Sequence, residues 1–359
     1  METILEVQQL HVRFRLRGKT LHALRGIDLK VYQGESLAIV GESGCGKSVL
    51  NKSLIGLIDQ NGYVDGGSIL YYGLNEKNPD GSRKPIDLTK IKRNKDWLSI
   101  RGREICMVPQ DPMTSLNPLK SIGWQIEESL RLHRGLRGAA AHAEVIRLLN
   151  DVRMDDPERR SRQYPHELSG GMRQRVVIAI AMACQPKILI CDEPTTALDV
   201  TIQAEILQLL HELKAKYHLT ILFITHDLGV VANIAERVAV MYAGDVVEVG
   251  TVNELFFDAR HPYTWALLSS LPQLGIRGED LYTIHGTPPS LYAELTGDAF
   301  AARNPQSLVI DHLQQPPYFD ISETHRARTW LLDPRAPKID PPPAMQLLKQ
   351  IGGNTNDEC

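Results

Sequence analysis

An α/β fold organised around a parallel sheet is predicted from three features of this 359-residue chain. A short apolar run, Ser36 to Val40, flows directly into a glycine-rich loop and then a helix from Lys47, giving strand, loop and helix in the order a phosphate-binding turn needs. Two further apolar runs, Lys187 to Cys191 and Thr220 to Thr225, are separated by a helix carrying Ile202, Ile206, Leu209, Leu210 and Leu213 on one face. Strand, helix, strand implies parallel pairing, since a helical crossover returns the chain to the same end of the sheet. The third feature is a switch to helical periodicity from Ser121 to about Asp151, the mark of a helical subdomain inserted into the α/β core.

Taken in chain order, Ile4 to Phe14 and Ile27 to Val31 read as strands leading to a turn at Gln33-Gly34-Glu35, which suits an antiparallel N-terminal layer. Residues 73 to 96, including Asn75-Glu76-Lys77-Asn78-Pro79-Asp80-Gly81, are polar and turn-rich and read as an exposed loop or insertion. Val238 to Val249 has the texture of a hairpin turning at Ala243-Gly244-Asp245. Leu255-Phe256-Phe257 and Pro262 then mark a change of texture, so a boundary is placed near residue 255. The rest, 256–359, carries Pro288-Pro289, Pro316-Pro317 and Pro341-Pro342-Pro343 and reads as an irregular extension rather than a second catalytic domain.

Composition excludes several classes of function. With 40 Lys and Arg against 43 Asp and Glu, the formal net charge is −3, so no broad field draws the chain to nucleic acid or anionic lipid. The longest apolar run, Val176 to Cys184, is about half of the roughly 20 residues a membrane-spanning helix needs. The start, Met1-Glu2-Thr3-Ile4-Leu5-Glu6, is acidic where a secretory signal is basic, and the protein is expected in the cytoplasm. Cysteines at 45, 106, 184, 191 and 359 are odd in number and form no C-x-x-C pair, which fits a reducing compartment.

Gly41-Glu42-Ser43-Gly44-Cys45-Gly46-Lys47-Ser48 fits G-x-x-x-x-G-K-[ST]. In such a loop backbone N–H groups wrap phosphates, Lys47 sets a positive charge on the β/γ oxygens, and the Ser48 hydroxyl can ligate Mg²⁺. By itself the loop specifies only an NTPase. Asp192 ends the strand Ile188-Leu189-Ile190-Cys191, where a carboxylate can hold the metal, through water. Glu193 follows at the strand tip and is the candidate general base for an attacking water. Leu168-Ser169-Gly170-Gly171-Met172-Arg173-Gln174-Arg175 precedes an apolar helix: Ser169 can cap it, and bare Gly170 and Gly171 allow a phosphate to approach the positive end of the helix dipole. Taken alone, that stretch is equally a helix cap with a glycine turn.

In combination these motifs resemble the ABC ATPase family over residues 1 to about 255. The resemblance implies a P-loop NTPase (RecA-like) core with an antiparallel β subdomain and an inserted helical subdomain at about 115–175. It implies ATP and Mg²⁺ as ligands, with Ser169, Gly170 and Gly171 acting in trans on nucleotide held by another subunit's phosphate loop. Gln110, within Val108-Pro109-Gln110-Asp111-Pro112, matches the family's glutamine loop, which contacts Mg²⁺ or water and relays the state of the site to membrane subunits. His226 matches the switch histidine that meets the γ-phosphate. Asp199, in Thr196-Ala197-Leu198-Asp199, matches the loop linking the two sites of the dimer. Phe14 falls where the family stacks an aromatic on adenine, a position that an ordinary strand residue also fills.

Longer stretches narrow the resemblance to ATP-binding subunits of oligopeptide and dipeptide permeases: Pro109-Gln110-Asp111-Pro112-Met113-Thr114-Ser115-Leu116-Asn117-Pro118, Tyr164-Pro165-His166-Glu167-Leu168-Ser169 and His261-Pro262-Tyr263-Thr264. Such subunits pair with a related, non-identical ATPase beneath two transmembrane permease subunits, fed by an extracytoplasmic solute-binding protein. The expected place of this chain is therefore the cytoplasmic face of the cell membrane, as a peripheral subunit. Many relatives bind an iron-sulfur centre through cysteines in the extension, whereas Asp298 and Asn304 stand at two of those places here, so no cluster is predicted. Nickel, glutathione or another small solute is the alternative cargo. A soluble ABC ATPase acting on nucleic acid or ribosomes expects a coiled-coil insertion or tandem ATPase domains, and neither is present. A GTPase expects N-K-x-D, and Asn94-Lys95-Asp96 sets the acid one place early.

Overall fold

The computed structural model describes residues 2–74, 78, 83–196, 198–271, 284–346 and 348–349. Ala197, Cys359 and most of the polar stretch Asn75 to Gly81 lie outside the described residues. The chain divides into two compact units, one of Met1–Leu5, Val31–Ser36 and Tyr71–Ile224, the other of Glu6–Lys30, Leu37–Leu70 and Thr225–Cys359.

In the first unit, strand Ile188–Asp192 lies between Ile105–Val108 and Thr220–Thr225, parallel to both. The run Ile188 to Cys191 is fully buried, which is why it reads as unbroken apolar sequence rather than as an alternating pattern. Helix Val200–Tyr217 makes the crossover and buries Ile206, Leu209, Leu210 and Leu213, while Ile202 is half-buried. The helical subdomain holds Ile122–Arg134, Gly138–Asp151, Pro157–Arg162 and Gly170–Met182. Its first helix starts at Ser121, whose hydroxyl accepts from Trp124 N, and stops at Gly135 with φ 69°. Hydrogen bonds from Arg147, working against burial and aided by Arg134, pull the Glu144 carboxyl down to about 2, and the Arg134–Glu144 pair at 2.5 Å ties the first two helices together. The apolar run from Val176 belongs to a helix buried on nearly every side, and among the described residues no helix is long and apolar enough to cross a membrane.

The stretch 73–96, expected as an exposed loop or insertion, holds short regular elements in its described part. Strand Ile86–Asp87, a 3₁₀ turn Leu88–Lys90 and helix Asn94–Trp97 form there, anchored by buried Leu88 and Trp97.

In the second unit, Thr3–Leu16 lies beside Lys19–Tyr32, joined by the two-residue turn Arg17-Gly18, and beside Gly62–Tyr71 on its other edge. A second sheet contains, as successive neighbours, Phe319–Asp320, Arg326–Ala327, Asp245–Thr251, Arg237–Tyr242 and Ser36–Val40. Arg237–Tyr242 pairs parallel to the phosphate-loop strand and antiparallel to Asp245–Thr251. Within the extension, strand Arg326–Ala327 pairs antiparallel with Asp245–Thr251 in this sheet. Tyr263, Phe300, Met345 and Leu348 share one core with Val40, Val240 and Tyr242. Buried Glu248 accepts from Arg260 N at 2.6 Å and His261 N at 3.1 Å and meets His325 Nε2 at 2.8 Å, so its burial is compensated by three partners.

Candidate nucleotide site

The phosphate loop is shaped by backbone that only glycine can supply. A Cβ on Gly41 would lie 2.1 Å from the Met241 carbonyl oxygen, and Gly46, at φ 107°, would bring one to 2.9 Å from the Ala23 carbonyl. The hairpin turn at 243–244 braces the same loop, Gly244 N donating to Cys45 O at 2.8 Å. Helix Lys47–Leu54 follows, so the first amides of a helix and the loop amides share one cradle. Lys47 is 6 % exposed, and its ammonium donates to the carbonyls of Gly41 (2.7 Å) and Glu42 (3.1 Å). Ser43, Gly44 and Ser48 are exposed, whereas Cys45 is buried, with its thiol pushed up by that burial.

His226 is exposed at the end of strand Thr220–Thr225. The loop is fixed around it, with Thr225 Oγ1 accepting from Asp227 N at 3.0 Å and Asp227 capping the next helix through Gly229 N at 2.8 Å. Phe14 is 8 % exposed, and a Cβ on Gly62 would lie 2.6 Å from its ring, so only a rim of that ring is accessible.

The first unit holds the carboxylates. Asp192 ends its strand half-buried, and Glu193 turns out of it with φ 46°, a conformation that costs a non-glycine residue about 1–3 kcal/mol and persists where the surroundings impose it. Glu193 N donates to Ile224 O at 2.9 Å. Its Oε2 accepts from Gln110 Nε2 and from Thr196 Oγ1, each at 3.1 Å. Two expected residues, Gln110 and Glu193, are thus brought together by strands Ile105–Val108 and Ile188–Asp192 lying side by side.

Ser169 caps helix Gly170–Met182, accepting from Met172 N at 3.3 Å. Gly171 is required from within, because a Cβ there would meet Ile202 Cγ2 at 2.6 Å. Gly170 is exposed, and a Cβ there would have its nearest neighbour at 3.7 Å, so the unit's own packing does not require glycine at this position. Asp199 caps helix Val200–Tyr217 through Ile202 N at 3.0 Å.

A family model described as ABC transporter matches residues 24–196, and one described as the oligopeptide/dipeptide transporter C-terminal region matches 247–309. The oligopeptide transport ATP-binding protein AmiE of Streptococcus pneumoniae serotype 4 is 54 % identical over 339 residues, 94 % of this chain and 92 % of that one. The chain belongs to the ABC transporter ATP-binding family. Other members of this family similar to it are the oligopeptide transport ATP-binding protein OppD of Bacillus subtilis, 50 % identical over 98 % of this chain and 95 % of that one, and the dipeptide transport ATP-binding protein DppD of Lactococcus lactis subsp. cremoris, 50 % identical over 95 % and 94 %. Among solved ABC structures, the dimeric post-hydrolysis ATP-binding cassette MJ0796 bound to ADP and Pi superposes with a TM-score of 0.58 at 25 % identity, covering 69 % of this chain and 98 % of that one. The Clostridium perfringens cbiO1 structure gives a TM-score of 0.59 at 29 % identity, over 72 % and 92 %. As an ABC ATPase, the chain binds nucleotide.

Sequence reading missed what holds Glu42. Tyr263 OH accepts from Glu42 N at 2.8 Å, and Arg303 pairs with its carboxylate at 2.8 and 3.1 Å. Asp298 and Asn304, read only as absent cysteines, make local turns instead, accepting from Phe300 N at 2.9 Å and Gln306 N at 3.0 Å.

Proposed function

We propose that this chain hydrolyses ATP to energise an importer of oligopeptides or dipeptides across the cytoplasmic membrane. The observation that carries hydrolysis is the strained Glu193, with its carboxylate held by Gln110 and Thr196. A carboxylate fixed in this way can take the proton of an attacking water without reorganising first. Lys47 and the loop amides of Gly41 to Ser48 bind the phosphates, and His226 meets the γ-phosphate. Phe14 flanks the adenine with its exposed rim.

Each unit carries hard oxygen donors of the kind Mg²⁺ prefers: the Ser48 hydroxyl in one, and in the other the Asp192 carboxylate and the amide oxygen of Gln110, whose nitrogen is engaged by Glu193. Bound there, the ion would neutralise phosphate charge. Ser169, Gly170 and Gly171 supply a capped helix start to nucleotide held by a second, related ATP-binding subunit, and Asp199 couples the two sites. The similar solved cassettes of MJ0796 are dimers, one of them bound to ADP and Pi, which supports this arrangement.

Two transmembrane permease subunits and an extracytoplasmic solute-binding protein complete the assembly, with this chain peripheral on the cytoplasmic face. An open groove of about 1060 Å³, lined in part by Pro118, Leu119, Arg159, Arg162 and Tyr164, is the surface we assign to the permease. Leu119 is 82 % exposed and Met113, on the turn that follows Gln110, is 60 % exposed, so apolar side chains stand in water beside the glutamine loop. Peptide cargo rests on the relatives' names and on the extension that they share.

The test is uptake. Cells carrying Glu193→Gln as their only copy should lose accumulation of labelled di- and oligopeptides while keeping that of nickel and glutathione. Intact peptide uptake, with loss of nickel or glutathione uptake, would replace the cargo.

A further inference from the structure

Glu42 places a negative charge inside a loop that holds a triphosphate, and the extension grips that residue at several points. Arg303 spans its carboxylate with both terminal nitrogens, Nη1 to Oε2 at 2.8 Å and Nη2 to Oε1 at 3.1 Å, the two-pronged geometry in which arginine binds carboxylates most firmly. The Arg303 side chain is 5 % exposed and that of Glu42 25 %, so the pair is shielded more than a surface ion pair. Arg303 is itself fixed, donating from Nε to His285 O at 3.0 Å and from Nη1 to Tyr242 OH at 3.1 Å. Phe300 sits 5.3 Å, centroid to centroid, from both Tyr242 and Tyr263 and walls the cluster.

The grip reaches the phosphate-binding lysine. Glu42 N donates to Tyr263 OH, and the Glu42 carbonyl is one of the two oxygens that hold the Lys47 ammonium. Turning the Glu42 peptide therefore moves an acceptor of Lys47, and releasing its carboxylate exposes an uncompensated charge on the loop.

We infer that Arg303 is a positioning residue for nucleotide: it cancels the charge of Glu42 and fixes the first turn of the phosphate loop, which makes the C-terminal extension part of the ATP site. This rests on the phosphate-loop reading above. Neither charge alone explains the arrangement. A loop without Glu42 would need no arginine, and an arginine serving only the core would not aim its fork at the loop.

The test is equilibrium binding of mant-ATP with Mg²⁺ to the full-length chain. Arg303→Ala should weaken binding about tenfold or more, since it leaves Glu42 unpaired beside incoming phosphates. In the Glu42→Gln background the same change should cost less than about threefold, because there is no carboxylate left to expose. Equal losses in both backgrounds, or wild-type affinity for Arg303→Ala, would overturn the inference. Should Arg303→Ala fail to fold, Arg303→Gln and Arg303→Lys replace it. The neutral variant should bind about tenfold more weakly than the charged one, and equal affinities would again overturn the inference. Lys47→Ala in parallel separates the two levels: if it binds mant-ATP normally, the phosphate-loop reading itself fails, whereas if only the Arg303 variants are normal, that reading stands without this addition.

Discussion

Replacing Glu193 with Gln is expected to slow ATP turnover about 10²- to 10⁴-fold, the range that a positioned general base contributes, while ATP still binds. The amide keeps the size and shape of the carboxylate, so the contacts with Gln110 and Thr196 at 3.1 Å have an oxygen to return to. What is lost is the basicity that accepts a proton from water. Lys47 and the loop amides are untouched, which is why affinity should stay within a few-fold of wild type. Steady-state phosphate release from the assembled transporter, set against mant-ATP binding, separates the two quantities. Turnover at the normal rate would remove Glu193 from its assigned role.

Lys47→Ala is expected to do the reverse and strike binding first. Hydrogen bonds to charged groups contribute about 1.5–3 kcal/mol, so affinity for ATP should fall about 10- to 150-fold. Lys47 is only 6 % exposed, and its ammonium is held by the carbonyls of Gly41 and Glu42. Alanine therefore also leaves two loop carbonyls without their cation, and loosening of the loop adds to the direct loss. An affinity equal to that of wild type would contradict the phosphate role.

Much of this arrangement was legible in the sequence wherever the determining forces are local. Ser36–Val40 and Thr220–Thr225 are buried at every position, and buried parallel strands carry that requirement in their own residues. The cap at Ser169 follows from a hydroxyl acting on an amide three residues ahead. The hairpin at 243–244 was announced by its turn, because Gly244 adopts φ 81°. What escaped the reading depends on partners remote in the chain. Arg303 and Glu42 are 261 positions apart. Nothing in the run Ala299 to Pro305 signals that its arginine reaches the phosphate loop. Ile86–Asp87 and Asn94–Trp97 are too short to show a period, and burial of Leu88 and Trp97, which orders them, is a tertiary effect. Phe14 was placed by position alone, and its packing on Gly62 could not be read from ring type.

The claim on which the mechanism turns is that the capped helix start at Ser169 closes on nucleotide held by a neighbouring subunit. A structure of the assembled transporter carrying Glu193→Gln, trapped with ATP and Mg²⁺, measures this directly. The Ser169 hydroxyl and the amides after it should lie within hydrogen-bond range of a γ-phosphate cradled by the other subunit's phosphate loop. A fully loaded assembly in which Ser169 faces solvent, distant from every phosphate, would contradict the account.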